Sequence, residues 1–233
     1  MGEGRVSSGV AGLDAMIGGG FPAHRAVVVR GQVGTGKTTL ATQFLVEGVR
    51  KGEPGLFVSV DAKPRHVIED AARLGWDLQK AVAGKTLAVL DASPYFTATR
   101  KGAIDARQVA TDLTHQVRTH KATRLVIDSL TSLLPPEDEP AAVRDFVRSL
   151  FFSLEDNLGC TVLVTAWHRD ASSGAGDYAD HAAAGVVELA LVKAGAHFER
   201  RLFLRKMRGA PAELAETRFE IVADRGLVLD GRS

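Results

Sequence analysis

Short apolar runs of strand length alternate with amphipathic stretches through most of the chain, and the alternation stops near the C-terminus. The run Ala26-Val27-Val28-Val29-Arg30 is continuous and β-branched, as a strand buried on both faces requires. Residues 37–50 follow with Leu40, Phe44, Leu45 and Val49 on one side, which predicts a helix. Further strands are predicted over 56–60, 86–90, 124–128 and 161–165, and further helices over 64–74, 76–82, 104–119 and 140–158. The last helix is the clearest, because Val143, Phe146, Val147, Leu150, Phe151, Leu154 and Leu158 recur at helical spacing. Residues 172–176, Ser-Ser-Gly-Ala-Gly, predict a flexible loop. After it, 186–192, 200–207, 218–222 and 227–229 read as strands with short connections.

That order predicts an α/β fold. Its sheet is mainly parallel with helices on both faces, and it ends in an antiparallel strand extension. No linker, repeat or low-complexity block divides the chain, so one domain is expected over 1–233.

Composition narrows the function classes. The 233 residues suit one large domain. With 45% hydrophobic and 24% charged residues the chain is not generally disordered. Lys plus Arg total 29 and Asp plus Glu 28, so the net charge of +1 does not favour a polyanion partner over the whole surface. The lone Cys160 excludes an intrachain disulfide framework and a cysteine zinc site, and it reads as a small buried hydrophobe in a reducing compartment. The N-terminus lacks a signal-peptide apolar core, and Val6 stands where a myristoylation signal wants Ser or Thr. No apolar run approaches the ~18 residues of a membrane span. A soluble, cytoplasmic protein with no membrane partner is the expectation. The seven histidines form no metal-binding helix pair, and Ser129 and Ser132 have no histidine context for a nucleophilic triad.

One motif carries chemistry. Gly31-Gln32-Val33-Gly34-Thr35-Gly36-Lys37-Thr38 matches the phosphate-binding loop G-x-x-x-x-G-K-[ST], with a buried strand before it and an amphipathic helix after it. Glycines let successive backbone N–H groups turn inward around phosphate oxygens, and the helix offers its positive end to the same anion. Val33, Gly34, Thr35, Gly36, Lys37, Thr38 and Thr39 are therefore the nucleotide-binding candidates. Lys37 supplies a charge for the outer phosphates, and Thr38 a hydroxyl for Mg²⁺. The apolar strand Leu125-Val126-Ile127 ends in Asp128, which fits the acid that completes a magnesium site in P-loop NTPases. Ser129 and not Glu follows it, so any general base comes from elsewhere. Asp61 at the end of another strand is a candidate base, and equally a helix N-cap for 64–74.

With those residues in view, the chain resembles a single KaiC-type domain of the RecA-like ATPases over nearly its whole length. The resemblance rests on Ser8-Gly9-Val10, Gly12-Leu13-Asp14, Gly18-Gly19-Gly20-Phe21-Pro22, the phosphate loop and Gln43-Phe44-Leu45. Leu74-Gly75-Trp76-Asp77-Leu78, Leu90-Asp91-Ala92-Ser93-Pro94, Ile127-Asp128-Ser129-Leu130-Thr131-Ser132 and Leu204-Arg205-Lys206-Met207-Arg208-Gly209 extend it. It implies a RecA-like P-loop fold, ATP with Mg²⁺, and a ring, usually a hexamer, with ATP between subunits. It also implies that Lys206 and Arg208 reach a neighbour's γ-phosphate, and that Asp224 lies near the nucleotide. The basic stripe Arg200-Arg201 and Arg205-Lys206 then belongs to the subunit interface.

One departure bears on activity. The family usually carries two adjacent glutamates where this chain has Asp61-Ala62. The first acid is one methylene shorter, about 1.5 Å of reach, and the second is gone. Since a positioned base contributes roughly 10²- to 10⁴-fold, slow hydrolysis is expected, with a non-hydrolysing ATP-binding scaffold as one alternative. A DNA-dependent recombination ATPase like RecA or RadA is the other. In RecA-like rings the loops after the fourth and fifth strands line the channel. Here the first holds Glu137, Asp138 and Glu139, and the second sets Arg169 against Asp170, Asp177 and Asp180. Acidic loops disfavour nucleic acid, whose binding rests on cations. The kinase activity known in the family is not carried over, because a second domain performs it and one domain is expected here.

Overall fold

The structure, a computed structural model, describes residues 4–93, 105–134, 140–157, 159–167, 175–210 and 216–230. Among these, the strands are β1 (Arg5–Val6), β2 (Phe21–Pro22), β3 (Ala26–Gly31), β4 (Gly55–Ser59), β5 (Leu87–Asp91), β6 (Arg124–Asp128), β7 (Thr161–Trp167), β8 (Gly185–Ala194), β9 (His197–Met207), β10 (Glu216–Val222) and β11 (Gly226–Leu229). The helices are α1 (Ala11–Met16), α2 (Lys37–Arg50), α3 (Pro64–Arg73), α4 (Leu78–Ala83), α5 (Ala106–His120), α6 (Pro140–Asn157) and α7 (Ala175–Ala182), with a 3₁₀ turn at Leu130–Leu133. Strands β1 and β2 pair as a small separate ribbon.

The main sheet has nine strands in the order β11-β10-β9-β8-β3-β7-β6-β4-β5. From β8 to β5 every pairing is parallel, and β9, β10 and β11 add antiparallel strands at one edge. The predicted α/β architecture is therefore the observed one.

Alternation sorts each strand between two cores. In β3, Ala26 and Val28 face one apolar layer, which also holds Val109 and Leu113 of α5 and Val147, Leu150 and Leu154 of α6. Val27 and Val29 face the other, which contains Leu40, Phe44 and Leu45 of α2 with Val67 of α3. Ala26, Val27, Val28 and Val29 are all fully buried. This two-sided burial is why the run reads as continuous and not alternating. Burying the three valines contributes on the order of 1.5–3 kcal/mol for each, which fixes the strand whose end carries the phosphate loop.

Differences from the sequence reading have local causes. Residues 76–82 were expected as a helix, but α4 starts at Leu78, because Asp77 caps it by accepting from Lys80 N at 2.9 Å. Trp76 stays outside and is 3% exposed. The loop expected over 172–176 is corrected in part, since Ala175 and Gly176 open α7. Ala179 in this helix and Ala183 and Ala184 just after it are buried, which seats α7 against the core. Residues 172–174, Ile104 and Leu158 lie outside the described residues. Helix α1 and the β1–β2 ribbon were not anticipated. Among the described residues no helix is long and apolar enough to cross a membrane.

Candidate functional site

The phosphate loop leaves the carboxyl end of β3 and enters α2 at Lys37. Gly34 and Gly36 have φ of 80° and 105°, and the helix cap is Gly36 itself in the left-handed region. These two positions need glycine because an L side chain is strained there. Thr35 is fully buried and donates through Oγ1 to Gln32 O at 2.9 Å, closing the loop on itself. Lys37 Nζ donates to Gly31 O and Gln32 O, each at 2.8 Å. Burial draws the Lys37 ammonium below the usual lysine range, and the charge of Asp128 opposes that pull.

Asp128 is the centre of the site. Thr38 Oγ1 donates to Asp128 Oδ2 at 2.8 Å, and Thr165 Oγ1 donates to Asp128 Oδ1. Burial raises the Asp128 carboxyl above the usual range, and the nearby charge of Asp61 adds to the rise. The hydrogen bonds from Thr165 and Thr38 and the charge of Lys37 act the other way. The sheet order explains these contacts. β7 lies between β3 and β6, so its Thr165 reaches Asp128, and Thr38 reaches the same carboxylate from the helix that follows the β3 loop.

A cleft of about 340 Å³ opens over these groups, lined among others by Val33, Gly34, Lys37, Thr38, Thr39, Asp61, Asp128 and Trp167. Thr38 and Asp128 offer the hard oxygen donors that Mg²⁺ takes, and Mg²⁺ commonly uses only one or two protein ligands beside substrate phosphates and water. No group of three or more His, Cys, Asp or Glu among the described residues could hold a metal alone. The donor set thus fits a magnesium ion brought with a nucleotide.

Asp61 also lines the cleft, two residues after β4, the strand beside β6. Its carboxylate accepts from Ser129 Oγ at 2.7 Å and from Ser132 Oγ. The alternative of Asp61 as a helix cap does not hold, because the N-cap of α3 is Lys63 and no side chain caps it. Sequence reasoning set aside Ser129 and Ser132 for want of a histidine. Their signal is a carboxylate partner on another strand, which spacing along one chain does not reveal. Trp167 was also missed. It is 46% exposed on the cleft wall.

Two other candidates stand away from the phosphate loop. Lys206 is paired with Val186, which is paired with Val28, so it lies level with the middle of β3. Arg208 N donates to Ala184 O and Ala184 N to Ala26 O, which puts Arg208 level with the start of β3. From Ala26 to Gly31 is about 16 Å at roughly 3.3 Å per residue. Neither cation is brought to its own loop. Lys206 Nζ donates to Asp180 O at 2.7 Å and His181 O at 3.1 Å, and an Arg208 guanidinium N–H donates to His181 O at 3.4 Å. Burial lowers the Lys206 ammonium, as does Arg208 beside it. Asp224 does not line the cleft. Its N–H donates to Leu74 O at 2.8 Å, and Leu74 is part of the cleft wall. Asp224 itself lines a separate groove with Gly9, Gln43 and Arg50.

Two cations of the basic stripe are paired with carboxylates within the chain. Arg205 Nε donates to Glu188 Oε2 at 3.0 Å, and Arg201 pairs with Glu199 at 3.0 Å. Of the two acidic loops, 135–139 and 168–174 lie outside the described residues.

A strand–loop–helix that holds Lys37 and Thr38 against an aspartate two strands away, on a largely parallel sheet, defines a RecA-like P-loop protein. A family model described as "ATPase: KaiC" matches residues 6–232, and the chain belongs to that family. A UPF0273 protein of Methanopyrus kandleri is 33% identical over 97% of this chain and 92% of its own length. The circadian clock protein KaiC3 of Synechocystis is 30% identical over 97% of this chain, which spans only 45% of that protein. The crystal structure of a KaiC-like protein from Pyrococcus horikoshii superposes with a TM-score of 0.83 at 31% identity, covering 97% of this chain and 99% of the other.

Proposed function

We propose that this chain is a single-domain ATP-binding protein of the KaiC type that assembles into a ring and hydrolyses Mg-ATP slowly. The observation that carries the reading is the joining of Lys37, Thr38 and Asp128 in one cleft. The loop glycines and the start of α2 would bind the phosphates, with Lys37 leaving its carbonyl partners to meet them. Thr38 and Asp128 would hold Mg²⁺, which when bound neutralises charge on the outer phosphates. Asp61 is the candidate acceptor for a proton from the attacking water.

Lys206 and Arg208 support the ring. They lie level with the middle and the start of β3, away from their own loop, while a neighbour's γ-phosphate is where remote cations would assist phosphoryl transfer. Such contacts would couple ATP to assembly. A hexamer, a regulatory or signalling role like that of the clock proteins among its relatives, and a cytoplasmic location go with this reading. Nucleic acid is not part of it. The scaffold alternative keeps one specific support: both carboxylate oxygens of Asp61 are already engaged by serines.

The test is steady-state phosphate release with Mg-ATP for the native protein, Asp61→Glu and Lys37→Ala, each sized in solution. Measurable native turnover, lost in Lys37→Ala, supports the slow ATPase. Native turnover at the Lys37→Ala background, restored in an assembled Asp61→Glu, supports the scaffold. Failure of the native protein to bind ATP overturns both.

A further inference from the structure

Trp167 ends β7, the strand that runs between the phosphate-loop strand β3 and the Asp128 strand β6. In register it pairs with Gly31, the first residue of the loop. By strand alternation its side chain shares a face with that of Thr165, two residues earlier, and Thr165 hydrogen-bonds the Asp128 carboxylate. The backbone N–H of Trp167 donates to Thr131 Oγ1 at 3.0 Å, which ties the end of the strand to the 3₁₀ turn. That turn also carries Ser132, the partner of Asp61. Trp167 therefore lines one cleft with the loop, the Thr38–Asp128 pair and Asp61.

Its exposure needs an explanation. A tryptophan has 150–250 Å² to bury, yet Trp167 is 46% exposed, while the other tryptophan, Trp76, is 3% exposed. Val33, 76% exposed on the loop, lines the same cleft. Two large apolar side chains left open beside buried ionic groups form a wall that a ligand would cover. An indole offers one N–H donor and no acceptor, so it suits an anion and cannot serve as a base. Thr38 and Asp128, which would hold a metal ion against the outer phosphates, mark that end of the cleft.

We propose that Trp167 contacts the terminal phosphate of a bound nucleoside triphosphate, donating its indole Nε1–H to a phosphate oxygen and excluding bulk water from that end of the cleft. The inference rests on the nucleotide reading above. Trp167 distinguishes triphosphate from diphosphate, because ADP lacks the group it touches.

The experiment compares binding of Mg-ADP and the magnesium complex of a non-hydrolysable β,γ-imido ATP, by calorimetry and by intrinsic tryptophan emission. The imido analogue changes the emission of the native protein and ADP changes it little. Trp167→Phe loses that change, and its preference for the triphosphate falls about tenfold, the worth of one hydrogen bond to a charged group. Its ADP affinity stays within about twofold. Trp167→Tyr, which keeps an aromatic wall and an O–H donor, retains part of the preference. Equal emission changes with both nucleotides in the native protein overturn the proposal whatever the variants do. So does an unchanged triphosphate preference in Trp167→Phe. If the native protein binds neither nucleotide, the nucleotide reading itself falls, and this inference with it.

Discussion

Thr38 Oγ1 donates to Asp128 Oδ2 at 2.8 Å, across ninety positions of the chain. The bond joins the first turn of α2 to the end of β6, and the same two oxygens are those expected to hold Mg²⁺. Thr38→Ala should leave nucleotide binding without magnesium nearly unchanged and remove most of the magnesium-dependent gain. Asp128→Asn should act in the same direction, since a neutral amide oxygen is a poorer ligand for a hard cation. Titrating nucleotide binding with and without Mg²⁺ checks both.

Asp61 and Ser129 form a second long-range pair. Ser129 is 1% exposed, and its hydroxyl donates to Asp61 at 2.7 Å. Asp61→Ala removes the carboxylate acceptor of a buried hydroxyl and should cost about 1–3 kcal/mol. Asp61→Asn keeps an acceptor oxygen and should cost less. Urea unfolding measures the difference, separately from any effect on turnover.

Glu188 holds the strand that feeds the loop. Arg30, the residue before Gly31, donates to Glu188 Oε2 through Nε at 3.0 Å and through Nη2 at 2.7 Å, and Arg205 donates to the same oxygen. Burial disfavours the ionised carboxyl, but hydrogen bonds from Arg205 and Arg30 outweigh it and hold Glu188 below the usual glutamate range. Breaking a buried pair costs about 3–5 kcal/mol. Side-chain exposures of 16% for Arg30 and 11% for Glu188 let water relieve part of that. Glu188→Gln should lose about 2–3 kcal/mol near neutral pH. Because the folded-state value is lowered, this stability is present above the ordinary value of 4.5 and disappears as pH falls below it. The gap between native and variant unfolding curves should therefore close in acid.

Cys160 should be inert while the chain is folded. Burial pushes its thiol up to about 12, from an ordinary 9.0. Thiolate is the reactive form, so labelling by a disulfide reagent at pH 8 should follow unfolding and accelerate with urea. Above pH 9 the unfolded chain releases this proton and the folded chain keeps it. The native protein should then lose stability relative to Cys160→Ala, by at most about 1.4 kcal/mol per pH unit. Unfolding curves of the two proteins at pH 8 and pH 10 test the sign.

The phosphate loop, the strand before it and the helix after it were legible because their signals are local. Gly34, Gly36, Lys37 and Thr38 act through backbone conformation and through neighbours a few residues away. Helix α2 and strand β6 have the bounds that their apolar patterns predict, 37–50 and 124–128. Asp128 could be picked because a strand pattern ends on it. Asp61 could be named but not assigned, since cap and cleft acid look alike in sequence. Only the tertiary fold gave it Ser129 and Ser132 as partners.

By itself, then, the sequence determined the alternation of elements, the antiparallel finish and the phosphate loop. Each depends on the periodicity or backbone preference of one segment. The tertiary structure decided which strands adjoin, and several fully buried strands look equally apolar, so periodicity could not choose among them. That choice put β7 between β3 and β6, set Thr165 on Asp128 and Trp167 on the cleft wall, and held Lys206 and Arg208 away from their own phosphate loop. Those positions arise from pairing between distant segments, where hydrogen-bond register and not local pattern fixes what meets what.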